Sequence, residues 1–434
     1  MSQLVIKKSW LKPDEVGGDP SGHDELVATY ARIEMMLGKQ NITEHKSARK
    51  KHRALEIPLY YLAEWIAENW WVLLFEPQKD EADDDYRFIA RHSLISAQHG
   101  FPLPALTLIP FGRSVRLNCR PRKASFADIL FTADAFGDSP TEQVQDTLFA
   151  FLRETDAQLR QFDIGNTNFQ MALNGISGLT DDERNFCELL GALGLSPSCA
   201  SDEVNSAIEA LFEILGPTAT RDYCLAATPR QVMSARPAAE QLRDRLVGLH
   251  DANLQALLKT NLPSDNFQAP SWRRGMQAAK NLRDQLKIDA KDDSGASKIF
   301  EALDIDLSRF ESNGSIGDQL TSTGAVDRDG GKAKIALFQE GTSHRRFAAG
   351  RATYLSWVSN SQSRRLMTNA VTRDQQASRQ FAAEILVPQE YLKKCATNNR
   401  LTYDYVREIA AQRGAMPDVA FKQAYNAAIQ VAGI

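Results

Sequence analysis

The side chains best suited to chemistry lie in the last third of the chain. His344, Arg345 and Arg346 stand together, followed by Arg351, Arg364, Arg365, Asp374, Arg379 and Glu384. Arg345, Arg346, Arg351, Arg364, Arg365 and Arg379 would together line a basic groove. Such a groove suits phosphate or a carboxylate-rich peptide, because guanidinium binds both in bidentate fashion. His344 has no second histidine four residues away and reads as a loop residue, not half of a helical metal pair. Glu384 follows two alanines on a stretch with apolar Phe381, Ile385 and Leu386. As a general base it would need a pocket and a proton partner, so its expected role is an ion pair with Arg351 or Arg379.

Other chemistries leave no mark. There is no GxxxxGK[ST] loop, GxSxG elbow or clear dinucleotide fingerprint. The acidic patch Asp80 to Asp85 lacks both the turn glycine and the distal glutamate of a calcium loop, and reads as a solvated loop. His23-Asp24-Glu25 follows a Gly/Pro-rich leader and reads as a loop or helix start. Cys119, Cys187, Cys199, Cys224 and Cys395 are odd in number, scattered and without a CxxC pair, which suits buried thiols in a reducing compartment. No cofactor or metal is called for.

The elements that must position these residues follow from periodicity. In a chain of 434 residues, 43% hydrophobic and 24% charged, two to four globular domains are expected. Leu59 to Phe75 reads as an amphipathic helix passing into an apolar strand-like run. Ala105–Ile109 and Ser114–Asn118 read as a hairpin, Phe126–Phe131 as a third strand, and Thr141 onward as a long helix. From about 175 to 300 the pattern is helical. Thr180 to Glu183 forms a capping box, Gly216-Pro217 a stop, and Thr228-Pro229 a new start, with further helical stretches over 238–258, 272–286 and 299–303. The polar stretch 304–331 reads as a boundary or surface loop. Lys334–Phe338 is a strand candidate, Ala348–Val358 a helix, 364–367 part of a break, and Asp374–Pro388 a second helix. Helices over 403–411 and 419–429 flank a Gly-containing turn.

The order of strand, Arg346-Phe347 pair, helix, and a second helix ending Phe381-Ala-Ala-Glu384-Ile-Leu-Val-Pro388 resembles the ImmA/IrrE metallopeptidases. The resemblance covers roughly residues 330 to 390, and more loosely the helical tail. In that family the first helix carries HExxH, two imidazoles one turn apart on zinc with the glutamate as base. Alignment on Arg346-Phe347 puts Arg351 and Leu355 at the histidine positions and Ala352 at the base. A protonated guanidinium cannot ligate zinc, leucine has no donor atom, and alanine cannot carry a proton. Where the family's acidic third ligand belongs, this chain reads Gln375-Gln376-Ala377-Ser378, with Asp374 the one acidic residue nearby.

The expected architecture is therefore α+β and multidomain: a mixed α/β domain over 1–165, a helical middle over 166–294, and a degenerate zincin-like domain over 295–434. The resemblance implies a non-catalytic regulatory or scaffold protein that holds a protein or peptide partner. Working members of the family cleave repressors and other regulators, so the implied setting is bacterial or phage defence, stress or mobile-element regulation. Two other readings stand beside it. From Arg345 onward there are thirteen Lys/Arg against six Asp/Glu, a local +7 in a chain of net charge −4. That basic end supports a nucleic-acid-binding regulator. A hydrolase with a non-zinc site, built from residues distant in sequence, is the third. No apolar stretch is long enough for a membrane helix and the N-terminus has no signal-peptide pattern, so the expected location is the cytoplasm.

Overall fold

The computed structural model describes residues 3–12, 24–78, 85–267, 269–309 and 314–432. His23, the leader before it and all but the last residue of the 80–85 acidic patch lie outside them. The chain forms two compact units, Met1–Ala200 and Ser201–Ile434, each α+β. The helices expected as a middle section fall on both sides of that division. No helix among the described residues is long and apolar enough to cross a membrane.

In the first unit, strands Leu4–Trp10, Tyr30–Leu37 and Leu55–Pro58 pair antiparallel. The expected hairpin forms as Ala105–Pro110 and Ser114–Arg120, and Ala135–Pro140 extends it. The expected third strand contracts to Leu130–Phe131. That pair belongs to a separate four-stranded sheet ordered Lys50–His52, His45–Ser47, Leu130–Phe131, Arg122–Lys123. The apolar run expected as a strand after Tyr60–Glu68 is instead a second helix, Trp70–Phe75, with all six side chains buried. An apolar run has no period of its own; burial on every side suits a short core helix as well as an inner strand. Its neighbour Glu76, itself buried, accepts from His92 Nε2 at 3.0 Å and is ion-paired with Arg91.

The second unit is built on a sheet ordered Asp251–Asn253, Lys332–Leu337, Ser322–Asp329, Gln362–Thr368, antiparallel throughout. Three expectations are corrected here. The polar 304–331 stretch contains an inner strand of this sheet, Ser322–Asp329, and the break at 364–367 is an edge strand. Both escaped because charged residues occupy them; Asp327 lies opposite Arg364 and the two form an ion pair at 2.7 Å. The helical stretch 238–258 divides into Arg236–Val247, a strand and a short helix. The stop at Gly216 holds, but Pro217 at once begins another helix, Pro217–Cys224.

Three helices position the candidate residues: Ser271–Leu286, Thr342–Val358 and Arg373–Leu386. The second begins six residues earlier than expected, so His344 sits in its first turn and not on a loop; the polar Thr342 to Arg346 stretch carries no apolar period to reveal it. Every residue from Ala348 to Trp357 is buried, as in a helix surrounded by protein. Arg373–Leu386 is approached closely from both sides. A Cβ on Gly275 would lie 2.0 Å from the Ala377 carbonyl oxygen, and one on Gly350 2.9 Å from Ala382 Cβ. Glycine at each point lets the backbones meet.

Candidate functional site

Arg351 crosses from the Thr342–Val358 helix to Arg373–Leu386 and is 4% exposed. Its Nη2 donates to Gln375 Oε1 at 2.6 Å and to the Thr368 carbonyl at 2.8 Å. Nη1 donates to Thr323 Oγ1 at 3.1 Å and Nε to Ser378 Oγ at 3.3 Å. Four hydrogen bonds to neutral acceptors thus hold a cation that has no carboxylate in ion-pair contact among the described residues. Burial, with a contribution from Arg379, lowers the pKa of this guanidinium to about 9, and it remains protonated at neutral pH. Gln375 is aimed by its own bonds: Nε2 donates to the Leu366 carbonyl at 2.7 Å, and its backbone N–H donates to the N-cap Thr372. Ala352 and Leu355, the other positions aligned with HExxH, are fully buried in the hydrophobic core.

Beside this bridge runs a file of alternating charges. Arg365 donates to both oxygens of Asp222, at 2.7 and 3.1 Å, and reaches Asp374 at 3.4 Å. Arg274 lies 3.7 Å from Asp374 and 3.8 Å from Asp265, which Arg373 engages at 2.7 Å. Burial would lower the pKa of Arg365, but Asp222 and Asp374 outweigh it and hold it above the ordinary range. The Tyr354 hydroxyl, completely buried near this file, has no hydrogen-bond partner among the described residues, and burial pushes its pKa up.

Glu384 pairs with Arg283, at 3.2 Å, and not with Arg351 or Arg379. It also accepts from the Gln389 backbone N–H at 3.2 Å and from Gln423 Nε2 at 2.9 Å. Gln423 Oε1 in turn accepts from Gln380 and Gln389. Burial outweighs Arg283 and these donors, so the Glu384 pKa is raised.

The nominated residues are therefore dispersed among several internal contacts. Arg364 donates to Asp327 and to the Ile214 carbonyl; Arg379 donates to the carbonyls of Ala370 and Thr368. Arg345 donates to the Gln339 carbonyl, and Arg346 to Ser297 Oγ and the Arg413 carbonyl. His344 is exposed at the helix start. The structure brings Arg351 together with Gln375 and Ser378, and Arg365 with Asp374. It leaves His344 and Glu384 outside that group. Asp222, Asp265, Arg274 and Arg283 carry no signal in the sequence because their partners Arg365, Arg373, Asp374 and Glu384 lie a hundred or more residues away, where spacing says nothing. Among the described residues no three His, Cys, Asp or Glu side chains converge as metal ligands would. An open cleft between Tyr403, Phe421 and Tyr425 includes none of the nominated residues.

Comparison with known protein families, with curated proteins and with solved structures returns no match for the chain.

Proposed function

We propose that the second unit is a degenerate peptidase scaffold of the ImmA/IrrE type, in which a guanidinium has taken the bridging place of the metal. The protein then acts as a non-catalytic regulatory or scaffold component, in a bacterial or phage defence, stress or mobile-element system, by holding a protein or peptide partner. One observation carries the reading. Arg351, aligned with the first zinc histidine, links its own helix to Gln375 and Ser378, on the stretch where the family places its acidic ligand. A zinc ion in a working site would join the same two helices through its ligands. Arginine supplies a positive charge and five N–H donors but no lone pair, so it can serve as a bridge and cannot activate water. The buried Ala352 and Leu355 add neither base nor ligand.

The test is metal analysis of the full chain purified from zinc-supplemented cells, beside a proteolysis assay with and without chelator. The expected result is no stoichiometric zinc and no chelator-sensitive cleavage. One zinc per chain together with chelator-sensitive proteolysis overturns the reading. A reciprocal pull-down from the native host then identifies what the scaffold holds.

A further inference from the structure

The cations counted at the C-terminal end are largely bonded inside their own unit, whereas a denser run lies in the first unit. From His45 to Arg53 there are five Lys/Arg and no Asp/Glu. This run folds as a hairpin, His45–Ser47 and Lys50–His52. Its two turn residues, Ala48 and Arg49, both have positive φ, 47° and 64°, as a two-residue loop between twisted strands requires.

Register decides what the sheet displays. Lys51 lies opposite Lys46, Lys46 opposite Leu130, and Leu130 opposite Lys123. Neighbouring residues along a strand face opposite sides, so these four form one row across one face, and all are exposed. The alternate row, His52, His45, Phe131 and Arg122, belongs to the other face, where His45 and Phe131 are buried. One side of the sheet is anchored to the core and the other presents ammonium groups. Glu44 reaches Lys51 at 2.9 Å, but Lys46, Arg49 and Lys123 have no ion pair among the described residues. Like charges placed directly opposite one another destabilise a sheet. The Lys46 and Lys51 juxtaposition therefore works against the isolated fold; Glu44 offsets it in part, and a bound anion would offset it further.

We propose that this face binds the phosphodiester backbone of a nucleic acid. The row sets Lys51 and Lys46 on adjacent strands about 4.8 Å apart and Lys123 two strands beyond Lys46, so successive phosphates of one chain can be met along it. The apolar area in and beside the row, Leu130 at 40% and Phe126 at 47% exposure, is too small to insert into a lipid surface. No aromatic side chain stands in the row to stack on bases, so recognition is of the backbone and independent of sequence.

The experiment uses the full chain and fluorescein-labelled oligonucleotides, single-stranded and duplex, of unrelated sequences, with anisotropy read across a salt series. Four phosphate contacts predict that raising salt from about 50 to about 200 mM weakens duplex binding roughly 150-fold and single-strand binding roughly 50-fold. The variant K46Q/R49Q/K51Q/K123Q changes exposed positions only and should lose at least about tenfold in affinity and most of the salt slope. Circular dichroism checks its fold, and K46Q/K51Q gives a smaller loss of the same kind should the quadruple variant be impaired. R400Q/K422Q, in the other unit, should bind as the parent does. The two strand forms identify the source of the phosphates. Absence of binding at low salt, unchanged binding by both hairpin variants, loss caused by R400Q/K422Q instead, or retention on phosphatidylserine vesicles without any on nucleic acid would each overturn the proposal.

Discussion

Replacing Arg351 with methionine tests whether a guanidinium bridge holds the two helices. Methionine keeps much of the length and removes charge and donors. The cost depends on which acceptors are left alone. Ser378 Oγ still donates to the Gln375 carbonyl and Thr323 Oγ1 to the Met367 carbonyl, so neither hydroxyl loses all its bonds. The Thr368 carbonyl keeps a longer contact from Arg379, at 3.4 Å, while Gln375 Oε1 loses its 2.6 Å donor. At about 1–3 kcal/mol for each buried group left unsatisfied, and with some return from no longer burying a cation, Arg351→Met should cost about 2–4 kcal/mol. The two units need not unfold together, so urea titration should be joined to hydrogen exchange read on peptides from 342–358 and 373–386. Faster exchange is expected there and not in the first unit. In the double-mutant cycle with Gln375→Leu, the Arg351–Gln375 coupling should reach about 1 kcal/mol or more. Stability within about 0.5 kcal/mol of the parent, with additive single effects, would refute the bridge.

The remaining predictions concern the packing and charge around it. Gly275→Ala sets a Cβ 2.0 Å from a carbonyl oxygen; overpacking of about 1–3 kcal/mol outweighs a helix-propensity gain of about 1, so its urea midpoint should fall. Gly175→Ala, with nothing within 4 Å, should raise it. Glu384 has a raised pKa, so its ionisation opposes folding. Unfolding free energy should decline as pH rises from the ordinary carboxylate value of 4.5 through the raised one, and Glu384→Gln should lack that decline while setting its amide donors against those of Gln389 and Gln423. For Glu76, burial is outweighed by the bonds from His92 and Arg91, and its pKa is lowered; burial also lowers that of His92. Both groups take up protons on unfolding in acid, so the first unit should weaken as pH falls below about 6.5, the ordinary histidine value. Glu76→Gln should show a shallower acid limb in tryptophan fluorescence. Finally, R351H/A352E/L355H writes the HExxH pattern back, yet it sets a carboxylate at a completely buried alanine, a cost of several kcal/mol. Insoluble or unfolded protein is expected; a folded variant with one zinc would show that the site kept its cleft.

Legibility followed the kind of signal each residue carried. The capping box at Thr180, the helix start at Thr228-Pro229 and the long amphipathic helix after Thr141 depend on neighbours within a few residues, and they form where the sequence places them. Ser322–Asp329 and Gln362–Thr368 were missed because their charged residues pair across strands rather than alternate with apolar ones. Arg351 stands out in the sequence for its position, where a metal ligand would be expected. Its acceptors, a threonine hydroxyl on one strand and a carbonyl on another, could not be read because their approach is a product of the fold.

Charge shows the same limit more sharply, because counting cannot tell a bonded cation from one exposed without an ion pair. The excess of +7 from Arg345 onward suggests a basic surface, but the unit that contains it holds thirty Lys/Arg and twenty-seven Asp/Glu, a balance of +3. Asp222, Asp265 and Asp327 come from earlier in that unit and engage Arg365, Arg373 and Arg364. In the first unit the balance is reversed, with twenty-one Lys/Arg and twenty-eight Asp/Glu, yet the His45–Arg53 hairpin carries five cations and, among the described residues, meets one carboxylate, Glu44, in an ion pair. Net charge sets long-range attraction or repulsion, which salt screens within about 10 Å. A polyanion at contact responds to the local row. The acidic unit can therefore hold the phosphate-binding face while the basic unit holds its arginines inside, and exchanging Lys46 and Lys51 for glutamine should change binding more than any change of overall charge made elsewhere.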